Sequence, residues 1–114
     1  MKLKIKRVYD EPAEDDGTRI LVDRLWPRGL SKEKARVDLW LKDVAPSNEL
    51  RKWFAHDPAK WTEFKSRYHA ELKHNGGPLA TLQQAIAGGT VTLLYGAKDQ
   101  QHNEAVVLQH LLSR

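Results

Sequence analysis

Gly88-Gly89-Thr90-Val91-Thr92-Leu93-Leu94-Tyr95-Gly96-Ala97-Lys98-Asp99 is the stretch from which the fold is read. Two glycines stop a preceding helix, a β-branched and aliphatic run follows, and a third glycine releases the chain from the strand. Upstream, Pro78 opens a helical pattern with Leu79, Leu82 and Ile86 inward. Downstream, Ala105, Val106, Leu108 and Leu112 mark the inward face of another. A helix, a glycine break, an apolar strand and a returning helix are the parts of an α/β crossover unit. Working outward, Arg19-Ile20-Leu21-Val22-Asp23 is a second run suited to a strand buried on both faces, and Leu3, Ile5 and Arg7 alternate with Lys4, Lys6 and Val8 as an edge or half-buried strand does. Leu39-Trp40-Leu41 reads either as a third strand or as an irregular packing segment.

Between these strands the chain is helical. Ser31 caps a short helix to about Ala35, and Ser47 caps a segment whose Leu50, Trp53 and Phe54 share one face. Asp57-Pro58 starts a longer helix with Trp61, Phe64, Tyr68 and Leu72 as its apolar stripe and Lys60, Glu63, Arg67 and Glu71 toward water, ending at Asn75-Gly76-Gly77. The expectation is an α/β fold: a single domain over residues 1–114, with a small mixed β-sheet flanked by helices in a three-layer-like arrangement.

Composition narrows the function classes. Forty per cent apolar and 30% charged residues suit a soluble globule. The longest apolar stretches fall far short of the roughly 20 residues that cross hydrocarbon, so no membrane partner is expected. Met1-Lys2-Leu3-Lys4-Ile5-Lys6 alternates charge where a secretory leader would be continuously apolar, so a cytoplasmic location is expected. The absence of cysteine excludes disulfide scaffolds, thiolate zinc fingers, iron–sulfur clusters and thiol nucleophiles, and leaves His, carboxylate or Tyr to hold any metal. The net charge of +4 is dispersed, because Lys2, Lys4, Lys6 and Arg7 are followed at once by Asp10, Glu11, Glu14, Asp15 and Asp16; nucleic acid is therefore not the expected partner.

In open α/β sheets ligands bind beyond the C-terminal strand ends. The segments there are Asp23-Arg24-Leu25-Trp26-Pro27-Arg28-Gly29 and Tyr95 through Asn103. If Asp99 is the N-cap of the last helix, His102 lies in its first turn, where the helix dipole keeps imidazole neutral. A neutral, inward His102 is either a general base, a metal ligand, or a histidine satisfying neighbouring backbone groups. Tyr95 offers a phenolate suited to ferric iron, or only a rim hydroxyl. His56, fixed by the rigid Asp57-Pro58 start, is a ligand or a helix cap. Arg24 and Arg28 bind an anion in bidentate fashion or pair with Asp23, Asp38 or Asp43. No phosphate loop, nucleophile elbow or zincin helix is present.

Val22-Asp23-Arg24-Leu25-Trp26-Pro27-Arg28-Gly29-Leu30, Asp38-Leu39-Trp40-Leu41-Lys42, His56-Asp57-Pro58 and Val91-Thr92-Leu93-Leu94-Tyr95 with His102-Asn103 closely resemble the YeaO-like branch of a bacterial domain-of-unknown-function family. The resemblance covers nearly the whole chain. It implies no established reaction; some relatives are described as mononuclear non-haem iron proteins. Longer relatives carry a Cys-Ala-Glu turn and a Cys-His-Arg helix start near the equivalents of Tyr95 and His102. This chain has neither cysteine, so no thiol-dependent activity carries over.

The expectation reached is a non-haem metal centre, iron first, built from His56, Tyr95 and His102 with Asp99 ranked last, and open to a diatomic or a small anion guided by Arg24 and Arg28. Its first rival is a metal-free anion-binding enzyme or module using Arg24, Arg28 and Lys98 with His102 as base. A nucleic-acid-binding regulator, suggested only by the basic pI of about 9.4, comes last.

Overall fold

A computed structural model describes residues 3–113, and four strands in it form one sheet: β1 (Leu3–Arg7), β2 (Thr18–Leu21), β3 (Leu39–Trp40) and β4 (Val91–Tyr95). Leu39-Trp40 is thus a strand. Spatial order is β1-β4-β2-β3 and every neighbouring pair is parallel, with Leu3 opposite Val91, Thr18 opposite Val91 and Ile20 opposite Leu39. The mixed sheet expected from sequence is therefore corrected to a parallel one. The loop after β1 does not close a hairpin onto β2, because β4 arrives from the far end of the chain and takes the place between them.

The α/β character stands on five helices among the described residues: α1 (Lys32–Ala35), α2 (Asn48–Phe54), α3 (Trp61–His74), α4 (Gly76–Ala87) and α5 (Glu104–Leu112). The period of two along each strand sends Ile20, Val22, Val91, Leu93 and Tyr95 into a main core with Phe54, Phe64, Tyr68, Leu72, Leu82 and Leu108. Leu21 and Leu94 point to the other face, under Val8, Ala35, Trp26 and Leu30. That cover is thin but complete, since both leucines are fully buried. It explains why the two central strands read as continuous apolar runs.

Helix starts follow capping chemistry, with shifts. Ser31 and Ser47 accept N–H bonds from Lys34 and Leu50 as expected. Asp57 instead caps a 3-10 turn over Pro58–Lys60, and α3 begins at Trp61. Glu71, expected in water, accepts from the Ser47 backbone N–H at 2.9 Å and from its hydroxyl at 2.6 Å, tying α3 to the start of α2. No helix among the described residues is long and apolar enough to cross a membrane.

One buried ion pair anchors β2. Asp16 and Arg19 are 3% and 4% exposed, and Arg19 Nη1 donates to Asp16 Oδ2 at 2.6 Å while Nη2 and Nε donate to the carbonyls of Ala35 and Arg36. Asp16 also accepts from Lys6 and from the Ala13 N–H. Between them Gly17 has φ +67, and a Cβ there would stand 2.2 Å from the Thr90 carbonyl oxygen, so only glycine passes this point. Burial opposes ionisation of Asp16, but the hydrogen bonds from Ala13, Lys6 and Arg19 outweigh it and hold the carboxyl below its ordinary value. Because that pKa is depressed by folding, the stability it brings is fully present above the ordinary value of 3.8 and is lost as pH falls through the lower folded value. Asp16→Ala, which strands the Arg19 guanidinium, should lower unfolding free energy by about 3 kcal/mol at neutral pH. Urea denaturation should show that loss shrinking as the pH is taken below 3.8.

Candidate functional site

A parallel sheet sends every strand's exit to the same edge. There, a cavity of about 440 Å³ lies among the 23–28 loop, residues 45–46, α2, Phe64 of α3 and the segment from Gly96 to Glu104. Trp26, Pro27, Phe54 and Phe64 supply apolar wall; Arg24, Arg28 and Arg51 supply positive charge; His56, His102, Asp23 and Glu104 supply the remaining titratable groups.

The two strand exits are joined by one short bond, from the Gly96 N–H to Asp23 Oδ2 at 2.7 Å. A Cβ on Gly96 would stand 3.0 Å from that same oxygen, which accounts for the glycine. The Trp40 indole donates to the Asp23 carbonyl at 2.8 Å, and the Trp26 indole to the Leu30 carbonyl at 2.7 Å, with the two rings edge-on at 5.5 Å. The Arg-Leu-Trp-Pro-Arg-Gly loop is therefore held by its tryptophans. Arg24 is pinned by carbonyls, Nε to Pro46 at 3.2 Å and Nη2 to Ala45 at 3.2 Å, rather than by the carboxylates of Asp23, Asp38 or Asp43. Asp38 is occupied elsewhere, accepting the Arg19 backbone N–H. Arg28 and Arg51 stay exposed at the cavity mouth. Lys98, expected among the anion-binding groups, is exposed and outside the cavity wall.

His56 reaches the wall because Ala55 and His56 both take left-handed backbone, φ 48 and 58, turning the chain sharply out of α2. His102 also reaches it, but by a different route from the one expected. Asp99 is not the N-cap of α5; Asn103 is, its Oδ1 accepting the Val106 N–H at 3.1 Å, and His102 precedes the helix. Asp99 instead accepts the Gln101 and His102 N–H groups and lies 2.8 Å from His102 Nδ1. The Gln101 N–H first, and the bond with His102 next, hold the Asp99 carboxyl below its ordinary value. A carboxylate beside Nδ1 favours the tautomer with the proton there, leaving the lone pair on Nε2, as a general base requires. Trp61 stands edge-on to the ring at 5.2 Å.

Tyr95 does not join these groups. It is 3% exposed, packs into the main core and is not part of the cavity wall; burial first, then the Asp10 charge, raises its phenol pKa and disfavours phenolate. Asp99 is committed to its own loop. Among the described residues no three His, Cys, Asp or Glu side chains converge as metal donors. The donors expected at His56, Tyr95, Asp99 and His102 are therefore not gathered into one set that fits an iron centre.

Residues that sequence reading passed over complete the site. Arg51 lies one turn into α2, and Glu104 is the first residue of α5, a position where an acid usually just faces solvent and complements the dipole. Here Glu104 and Asp23 line the same cavity, and the Asp23 carboxyl acts on that of Glu104. Burial, then the Asp23 charge, raises its pKa well above the ordinary carboxylate range. A charge on Asp23 therefore opposes ionisation of Glu104. Only the acid at a helix start was visible in sequence; its partner lies 81 positions earlier.

Residues 2–114 match the family described as the inactive DUF488-N3 subclade. An uncharacterised protein of Mycobacterium tuberculosis and one of Mycobacterium bovis are each 43% identical over 112 residues, spanning 98% of this chain and 94% of the relative. The uncharacterised YeaO of Escherichia coli is 43% identical over 108 residues, spanning 95% of this chain and 94% of its own. No solved structure matches.

Untagged protein from iron-supplemented cells should carry far less than one equivalent of iron by elemental analysis. Stoichiometric iron, with a visible band lost in Tyr95→Phe, would contradict this reading of the donor geometry.

Proposed function

The chain belongs to the inactive DUF488-N3 subclade, and from that premise we propose that it is a binding module for a small organic anion, with the 440 Å³ cavity as its seat. The observation that carries the reading is the arrival of Arg24, Arg28 and Arg51, from two separate segments, on the wall of one cavity. Guanidinium groups present paired donors matched to carboxylate or phosphate, and Arg24 is held in place by backbone carbonyls before any ligand arrives. Trp26, Phe54 and Phe64 provide the apolar surface that suits a ligand with a carbon skeleton, and the volume lies in the usual range of small-molecule sites. A role in binding rather than turnover is supported by the description of the subclade as inactive and by the absence of cysteine. His102 Nε2, carrying the lone pair, accepts from an O–H or N–H of the ligand.

Calorimetric titration with a small phosphate monoester, ethyl phosphate, tests this. Arg28→Ala and Arg51→Ala should each weaken binding about tenfold, the worth of one charge-assisted hydrogen bond. Both side chains are exposed, so the fold should survive; Lys98→Ala, outside the wall, should leave affinity unchanged. Equal affinity across all three variants would refute the proposal.

A further inference from the structure

We infer that the cavity is built for a zwitterion, its arginines taking a phosphate or carboxylate and the Asp23–Glu104 pair taking an ammonium group of the same ligand. This rests on the anion-binding reading and adds to it. A cleft meant for a simple anion gains nothing from carboxyl groups in its wall, since they repel the ligand the arginines attract. Asp23 has a structural task, accepting the Gly96 N–H through Oδ2. Glu104 has no comparable one. Among the described residues it makes no ion pair, yet it lies against Asp23 in the cavity wall. An ammonium group supplies what the pair lacks, a cation with three N–H donors to share between two carboxylates.

The two kinds of charge come from different segments. The arginines stand on the 24–28 loop and α2, while the carboxyls stand where the exits of β2 and β4 meet the start of α5. One ligand spanning the cavity meets both. An ammonium seated beside Glu104 favours its ionised form, and any proton that carboxyl carries passes to solvent; no covalent bond changes. The charged and titratable groups facing Glu104 across the cavity are Asp23, Arg24, Arg28, Arg51, His56 and His102. The buried phenols of Tyr68 and Tyr95 have their pKa values raised by burial first, and an ionised Glu104 raises both further. Glu104 is thus the group whose proton the ammonium displaces. Below its raised pKa, affinity for a zwitterion climbs with pH by up to about tenfold per unit, because one proton leaves for each ligand bound.

Phosphoethanolamine and ethyl phosphate carry the same phosphate monoester, with and without an ammonium. Calorimetry with each between about pH 7 and 9, where both phosphates are ionised, in buffers of different ionisation enthalpy, reads affinity and proton release together. Phosphoethanolamine should bind at least about tenfold tighter than ethyl phosphate and release up to one proton, while ethyl phosphate releases none. Glu104→Gln, which keeps the side-chain shape and a hydrogen bond to Asp23, should bind the two esters alike and release no proton. Equal affinities in the unmodified protein would overturn the zwitterion inference and leave the anion site standing. Binding of neither ester would overturn both. Ethanolamine alone binding as tightly as phosphoethanolamine would also overturn the inference, because the arginines would then contribute nothing.

Discussion

The insertion of β4 between β1 and β2, parallel to both, is the constraint on which the rest of this molecule depends. A parallel strand is reached only by crossing over, so the helices must lie on the sheet, and both of its faces must be covered. The same direction of travel places every strand exit on one edge. The loops that leave β2 and β4 then meet, and the Gly96 N–H closes on the Asp23 carboxylate. Had β1 and β2 paired as an antiparallel hairpin, their exits would have faced opposite ways and the cavity would have had no wall.

Two acid–partner contacts illustrate how the same side-chain type takes opposite roles. Asp16 is surrounded by donors, Arg19, Lys6 and the Ala13 N–H, and is held ionised as a strut for β2. Glu104 has as its neighbour another carboxyl, and burial and that neighbour raise its pKa at the edge of a cavity. The first arrangement leaves nothing for a ligand to improve. The second leaves two carboxyls with no cation between them on a cavity wall, an arrangement found at binding sites more than in struts.

Histidines were the conspicuous residues in the chain, and their fates differ. His56 and His102 both reach the cavity, the former by two left-handed backbone positions and the latter by a loop that Asp99 organises. Tyr95 shares a strand end with that loop but packs into the main core, because β4 is covered on both faces and its last residue follows the period of Leu93 and Val91. A phenol there fills the core rather than serving as a ligand. Tyr95 therefore does not share the cavity wall with His56 and His102.

That Leu39–Trp40 is a strand was decided by the structure, whereas sequence by itself determined the α/β class, the existence of β1, β2 and β4, the caps at Ser31 and Ser47, and the two loops in which polar chemistry collects. These are set by periodicity, glycine and proline positions and capping side chains, all of which act within a few residues. Periodicity does not report the partner of a strand, so the parallel order of the sheet was decided only by tertiary packing. Nor does it report which distant side chains share a wall. Arg51 joined Arg24 and Arg28, and Glu104 joined Asp23, only because crossovers brought α2 and α5 to the edge where β2 ends. The family relationship was legible in the Arg-Leu-Trp-Pro-Arg-Gly string, since shared residues persist in the chain itself. The electrostatic character of the site was not, because charge in a cavity is a sum over neighbours in space.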